Sequence, residues 1–183
     1  AVELDGGAIA KAREHLEEVY AADEEGGGPD FPDGSFDGIV CSDLLERVRR
    51  PDRLLRRLRR WLAPGGRLLA TVANARRLSV VEGLLAGRWT AADGKLGRRP
   101  IRFFTRREVE KLLYRADFGP PTLTPLPGPG HAEWVKGGRP GMVALGQLQV
   151  GGVSPEEAEE FYVDGYLVEA ELQEPARFGT TSI

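Results

Sequence analysis

Residues 31–74 read FPDGSFDGIVCSDLLERVRRPDRLLRRLRRWLAPGGRLLATVAN. Phe31-Pro32-Asp33-Gly34-Ser35 is turn chemistry, since proline presets φ and glycine accepts positive φ. The apolar run Gly38-Ile39-Val40-Cys41, inside 36–42, predicts a strand buried on both faces. Pro51 suits the first turn of a helix, where its missing N–H costs nothing. Leu54, Leu55, Leu58, Trp61 and Leu62 form one apolar stripe at helical spacing, with Arg53, Arg56, Arg57, Arg59 and Arg60 on the other face. Pro64-Gly65-Gly66 stops that helix, and residues 67–73 predict the next strand. Strand, helix and strand with a short return make a parallel βαβ unit with a right-handed crossover. Ligands of such sheets sit beyond the carboxyl ends of the strands. Here those ends are Ser42-Asp43-Leu44-Leu45-Glu46 and Ala73-Asn74.

Composition bounds the rest. The chain has 183 residues, enough for one domain with a core, and its 41% hydrophobic and 29% charged content is ordinary for a soluble globular protein. No apolar run approaches membrane-spanning length and no secretory leader is visible, so a cytoplasmic protein is expected. The single Cys41 allows no internal disulfide and reads as a small buried hydrophobe. Net charge is −3 but unevenly spread: residues 47–115 hold 20 bases and 5 acids, between strongly acidic flanks. The arginines follow helical spacing opposite apolar stripes, and no aromatic residues interleave with them as a stacking platform would require. A solvated helix face is therefore the reading, with nucleic acid not expected as a partner.

The segments FPDGSFDGIVCSDLLERV, LAPGGRLLATVAN and, at 101–118, IRFFTRREVEKLLYRADF resemble the class I S-adenosylmethionine-dependent methyltransferases. The likeness spans residues 1–127. It implies an α/β, three-layer Rossmann-like fold with a mostly parallel sheet, whose strands the family orders 3-2-1-4-5-7-6. The family's glycine-rich G-x-G-x-G loop has no counterpart: Gly6-Gly7 and Gly26-Gly27-Gly28 follow the wrong strands. The first strand and helix of the family are thus missing from these residues, either because the natural protein continues upstream of Ala1 or because the chain is a shortened relative. A gap is expected between the strands at Val2 and Ile39. One methyltransferase-like domain is expected over 1–172, with a pocket-covering insertion at 77–102 and a tail at 173–183.

The resemblance implies S-adenosyl-L-methionine as cofactor and assigns residues to it. Glu3 stands at the ribose-binding position, where a carboxylate offers acceptors to two hydroxyls. Asp23 stands near the adenine amino group, Leu4 and Glu24 flank the adenine, and Ser42, Asp43 and Leu44 border the sulfonium. The local alternative is that Glu3 and Asp5 are turn acids capping the first helix. Candidate bases are Asp43, Glu46 and His131, though Asp43 also suits a turn cap, Glu46 a surface ion pair and His131 an exposed loop. No Ser-His-Asp constellation and no metal-ligand spacing occurs. The sulfonium is already activated, so alignment suffices unless the nucleophile needs a base. The implied reaction is methyl transfer to O, N or C of a small molecule or glycan precursor, with a homodimer possible. The alternative is a non-catalytic remnant or interaction domain of the same fold. A nicotinamide-dependent dehydrogenase would also place an acid after its second strand, but its fingerprint is absent.

Further along, helices are expected at 8–19 and 78–85, with a short strand at 19–23. Trp89 is either a lid or a packing residue. Thr105 and Glu108 spell a capping box before an inward stripe of Val109, Leu112, Leu113 and Ala116. Pro125 and Pro127 mark an edge strand, residues 127–141 a loop, and 142–150 a strand. Ser154-Pro155 with Glu157 caps another helix. Residues 166–172 alternate with glutamates, as a strand with one exposed face does.

Overall fold

The computed structural model describes residues 2–3, 6–21, 28–89, 100–145 and 148–172; for Val2, Glu3, Gly6, Leu145 and Leu148 the backbone alone is described. In chain order the elements are β1 (Val2–Glu3), α1 (Gly6–Ala12), β2 (Tyr20–Ala21), β3 (Phe36–Ser42), α2 (Pro51–Trp61), β4 (Leu62–Ala73), α3 (Leu78–Leu85), α4 (Arg106–Arg115), β5 (Thr122–Pro127), α5 (His131–Lys136), β6 (Met142–Leu145), β7 (Leu148–Gly151), α6 (Pro155–Glu159), a single 3-10 turn (Glu160–Tyr162) and β8 (Val163–Glu171).

The 31–74 stretch forms the expected unit, with β3 and β4 parallel and α2 between them. Strand β4 starts earlier than predicted. Phe36 pairs with Leu62, then the register shifts so that Gly38 meets Arg67. Two glycines permit the irregularity. Gly65 sits at φ 79°, and a Cβ on Gly66 would lie 2.8 Å from the Ala63 carbonyl oxygen and 3.1 Å from that of Phe36.

The main sheet runs β3-β4-β8-β5, while β1-β2 form a separate parallel pair and β6-β7 an antiparallel hairpin. Strand β8 runs antiparallel to both β4 and β5, so β3, β4 and β5 share one direction. Val2 and Ile39 therefore belong to different sheets, as the expected gap requires. On one face of the main sheet, Leu68, Ala70, Val72, Val168 and Ala170 meet Leu55, Leu58 and Trp61 of α2 and Val109 and Leu113 of α4 in one core. Each of these side chains is no more than 6% exposed, as the amphipathic stripes dictate. On the other face Val40 is 74% and Leu167 40% exposed. The expectation that β3 is buried on both faces is thus corrected. Among the described residues β3 ends the sheet order, and only Cys41 of its side chains is buried.

Other differences have local causes. Helix α1 stops at Ala12 rather than continuing to 19, and Leu16 is 48% exposed. An amphipathic segment without a surface to bury its stripe does not hold a helix. Thr105 flanks α4, but its side chain makes no capping hydrogen bond; Glu108 pairs with Lys111 Nζ at 2.9 Å instead. The box at Ser154 and Glu157 does form, at 3.2 and 3.0 Å. The loop expected at 127–141 contains α5, which Trp134 holds in a second core with Val143, Ala158 and Phe161. The expected strand at 142–150 is the β6-β7 hairpin.

Candidate active site

Three segments converge on the carboxyl end of β3 and β4. The loop after β3 leaves through Asp43, whose φ of 47° lies in the left-handed region that Asp tolerates better than most residues. Thr71, paired with Ser42 in the sheet, fixes this turn: its Oγ1 accepts the Asp43 N–H at 3.1 Å and donates to Asp43 Oδ1 at 3.0 Å. Ser42 Oγ lies 3.4 Å from the same hydroxyl. Thr71 was not singled out from the sequence. Its signal is a hydroxyl inside the otherwise apolar run 68–73, two residues from the end of β4.

Glu46 is the site's most unusual group. Its side chain is 3% exposed, and Oε1 accepts the Ala73 N–H at 2.7 Å. Oε2 is buried with no hydrogen-bond partner. Burial pushes this carboxyl above its ordinary pKa; the hydrogen bond from Ala73 opposes that shift, and the charge of Asp43 adds to it. Glu46 is thus not the arginine-paired surface acid of the local alternative. Its backbone carbonyl accepts the N–H groups of Ile101 and Arg102 at 2.8 and 3.1 Å, which ties the loop after β3 to the segment before α4.

Asn74, also at the end of β4, is fully buried and fully engaged. Its amide donates to the carbonyls of Glu160 and Val163, and its Oδ1 accepts the Arg76 N–H. It anchors the polypeptide that precedes β8. That polypeptide matters because Pro127 pairs with Val163 while Ala73 pairs with Gly165. Residues 128–162 therefore leave and re-enter the sheet at the same end as Asp43 and Glu46. Leu78 and Val81 of α3 pack against their core, joining the described part of the predicted insertion to this second lobe. Residues 90–99 of that insertion lie outside the described residues, as does the tail at 173–183. Trp89 is 51% exposed and packs edge-on against Phe103, ring centroids 4.7 Å apart.

His131 is placed in the second lobe. Its Nε2 lies 3.0 Å from Glu159 Oε1, and its ring lies 5.9 Å from that of Trp134. Leu44 is partly buried against the main core. Glu3 ends β1 opposite Ala21. Leu4, Asp23 and Glu24 lie outside the described residues, so the adenine and ribose expectations have their frame in the β1-β2 pair and no described side chain. Among the described residues no group of three or more His, Cys, Asp or Glu could hold a metal ion, and no helix is long and apolar enough to cross a membrane. Cys41 is buried, and that burial pushes its thiol up to about 12.

A strand-end site with a strained turn and a buried carboxyl, on a sheet of this order, fits a Rossmann-like methyltransferase. The sequence model of the methyltransferase-domain family matches residues 3–120. The chain belongs to that family, within the class I S-adenosylmethionine-dependent methyltransferases. Over 111 residues it is 32% identical to trichosetin synthetase PKS-NRPS1 of Gibberella fujikuroi, a match covering 56% of this chain and 3% of that protein. Its fold is similar to a SAM-dependent methyltransferase of Thermotoga maritima, described as a possible histamine N-methyltransferase (TM-score 0.60, 17% identity, 94% of this chain and 72% of that one). It is also similar to the CurJ carbon methyltransferase (TM-score 0.54, 20% identity, 94% of this chain and 41% of that one). The chain thus spans a small fraction of the curated relative it matches.

Proposed function

We propose that this domain transfers a methyl group from S-adenosylmethionine to an acidic carbon of a small molecule, with Glu46 as the base. The observation that carries this reading is the buried Glu46 carboxyl with one oxygen unpartnered at the strand ends. An oxygen or nitrogen nucleophile brings its own lone pair, whereas a C–H must lose its proton as the new bond forms. A base for that step works best when its pKa lies near the operating pH, and burial moves Glu46 in that direction. The carbon methyltransferase among the structural neighbours and the relative whose name denotes a polyketide synthase support a carbon acceptor.

The strand-end carboxyl groups suit the cofactor, while the family's glycine-rich loop has no counterpart in these residues. Asp43 and Glu46 bring two carboxyl groups to the strand ends, and acceptor-only carboxylates suit a cation. When bound, S-adenosylmethionine supplies a sulfonium-activated methyl group. Asp43, held by Thr71, would face that positive charge, with Ser42 and Leu44 beside it. Glu3 at the end of β1 would take the ribose hydroxyls, and Leu4, Asp23 and Glu24 the adenine. Glu46 Oε2, enclosed in this structure, would take the acceptor proton once the loop after β3 shifts to admit the acceptor, while Oε1 stays on the Ala73 N–H. The lobe at 128–162 and α3 would cover the acceptor, with Trp89 at their margin.

The test has two parts. Calorimetry of the folded chain with S-adenosylmethionine and S-adenosylhomocysteine should give saturable binding that Glu3→Ala weakens. Incubation with methyl-labelled S-adenosylmethionine and a 1,3-dicarbonyl compound should label carbon in the wild type and fail in Glu46→Gln, with cofactor binding retained. Labelling of amine or hydroxyl acceptors but never carbon would overturn the choice of nucleophile. No cofactor binding by a folded chain would leave the non-catalytic alternative standing.

A further inference from the structure

A cavity of about 290 Å³, apart from the strand-end site, opens between α2 and α4. Its apolar floor includes Phe104 and Leu112, and its rim carries Arg56, Arg102, Lys111 and Arg115 against Asp52 and Glu108. The two acids leave the cations incompletely neutralised. Asp52 is held in a two-pronged contact by Arg50, at 3.0 and 2.9 Å, and that contact keeps its carboxyl down at about 2. It reaches Arg56 at 3.7 Å only. Glu108 is taken by Lys111 at 2.9 Å. Arg56 spends one donor on the Arg115 carbonyl, and Arg102 donates to the Arg49 carbonyl, so neither contact cancels charge. Arg115 has no carboxylate partner among the described residues. Two to three guanidinium groups thus border one concave space with donors to spare.

We infer that the α2–α4 cleft is a binding site for the phosphate group of a small phosphate ester. Guanidinium forks match phosphate oxygens in pairs and are weakly hydrated for cations. The net charge of the six rim side chains, two in excess positive, complements a phosphate dianion. A volume near the lower end for ligand pockets holds a phosphate and a short stretch of its ester, with Phe104 and Leu112 meeting the carbon part. The inference stands apart from methyl transfer, but the two sites share a wall: the N–H of Arg102 holds the Glu46 carbonyl while its guanidinium borders the cleft.

The probes are inorganic phosphate and phenyl phosphate, titrated into the whole chain at constant ionic strength and followed by backbone amide NMR. Saturable shifts are expected at Asp52, at 102–104 and at 111–115, with phenyl phosphate binding more tightly because it also meets the apolar floor. The exposed pair R56Q/R115Q should weaken that binding about ten-fold or more while dispersion of the spectrum shows an intact fold. R53Q/R107Q, on the same two helices but outside the rim, should leave it unchanged. Equal loss in both variants, or the same shifts with chloride alone, would overturn the inference in favour of a diffuse basic helix surface.

Discussion

The two borders of β4 differ sharply. Toward β8, residues 67–73 pair in unbroken register with 171–165, β5 pairs beyond, and Val168 and Ala170 are at most 2% exposed. Toward β3, the register slips after Phe36, and Val40 in mid-strand is 74% exposed. Composition points the other way: β8 carries Asp164, Glu169 and Glu171, while β3 holds the apolar run Gly38-Ile39-Val40-Cys41. Burial is decided by what stands on the far side: β8 has β5, while β3 among the described residues has no further strand. The candidate site spans the two borders. Its two carboxyl groups, Asp43 and Glu46, hang from the open border, and the groups that hold them, the Thr71 hydroxyl and the Ala73 N–H, belong to the strand sealed on the other side.

The largest predicted effect strikes the sealed border. Leu113 is fully buried between α4 and the sheet, so Leu113→Ala should cost about 2–5 kcal/mol in denaturant unfolding. Gly165→Ala tests the β4-β8 contact itself. Its Cβ would lie 2.5 Å from the Val72 carbonyl oxygen, which is backbone and cannot swing aside. A loss of about 1–3 kcal/mol is expected, read in the same unfolding experiment.

A smaller effect separates the two capping boxes that the sequence spells. Ser154→Ala should cost about 1 kcal/mol, because that box is formed. Thr105→Ala should cost much less, because the Thr105 side chain makes no capping bond. The pair shows why the fold was partly legible. Spacing located both helix starts, along with α2, the parallel β3-β4 unit and the edge character of β5. It could not say which carboxylate a neighbour would claim, and Lys111 claims Glu108. Nor could it place α5, since a six-residue helix carries too little periodicity and exists because Trp134 stacks on Tyr162 at 5.5 Å. In the site, Asp43 and Glu46 were legible as strand-end acids. Thr71 was not, because its role depends on a cross-strand register that the linear sequence does not display.

Glu46 gives a pH signature at the junction of the two borders. A carboxyl whose folded pKa is raised contributes stability that is complete below its unfolded value, about 4.3, and is lost as pH rises through the folded value. Wild type should therefore lose stability relative to Glu46→Gln as pH climbs from about 4 toward 8. Thermal unfolding of both proteins across that range should show the difference widening upward. A difference that is constant with pH would mean the Glu46 carboxyl does not titrate differently in the folded state.

The smallest change in stability should come from the open border, and there the readout is association. Val40 exposes a β-branched side chain on a strand that, among the described residues, ends its sheet, the arrangement that pairs edge to edge with other chains unless a charge prevents it. Val40→Lys places a cation where no core contact is lost, so unfolding should shift by no more than about 0.5 kcal/mol. Light scattering at rising concentration should show the wild-type chain associating and the lysine variant remaining smaller. If the lysine variant were destabilised as severely as Leu113→Ala, Val40 would be a packed residue and the contrast between the two borders would fail. If stability held and association were equal in both proteins, the β3 edge would not be the surface through which copies meet, and the difference between the borders would be one of burial alone.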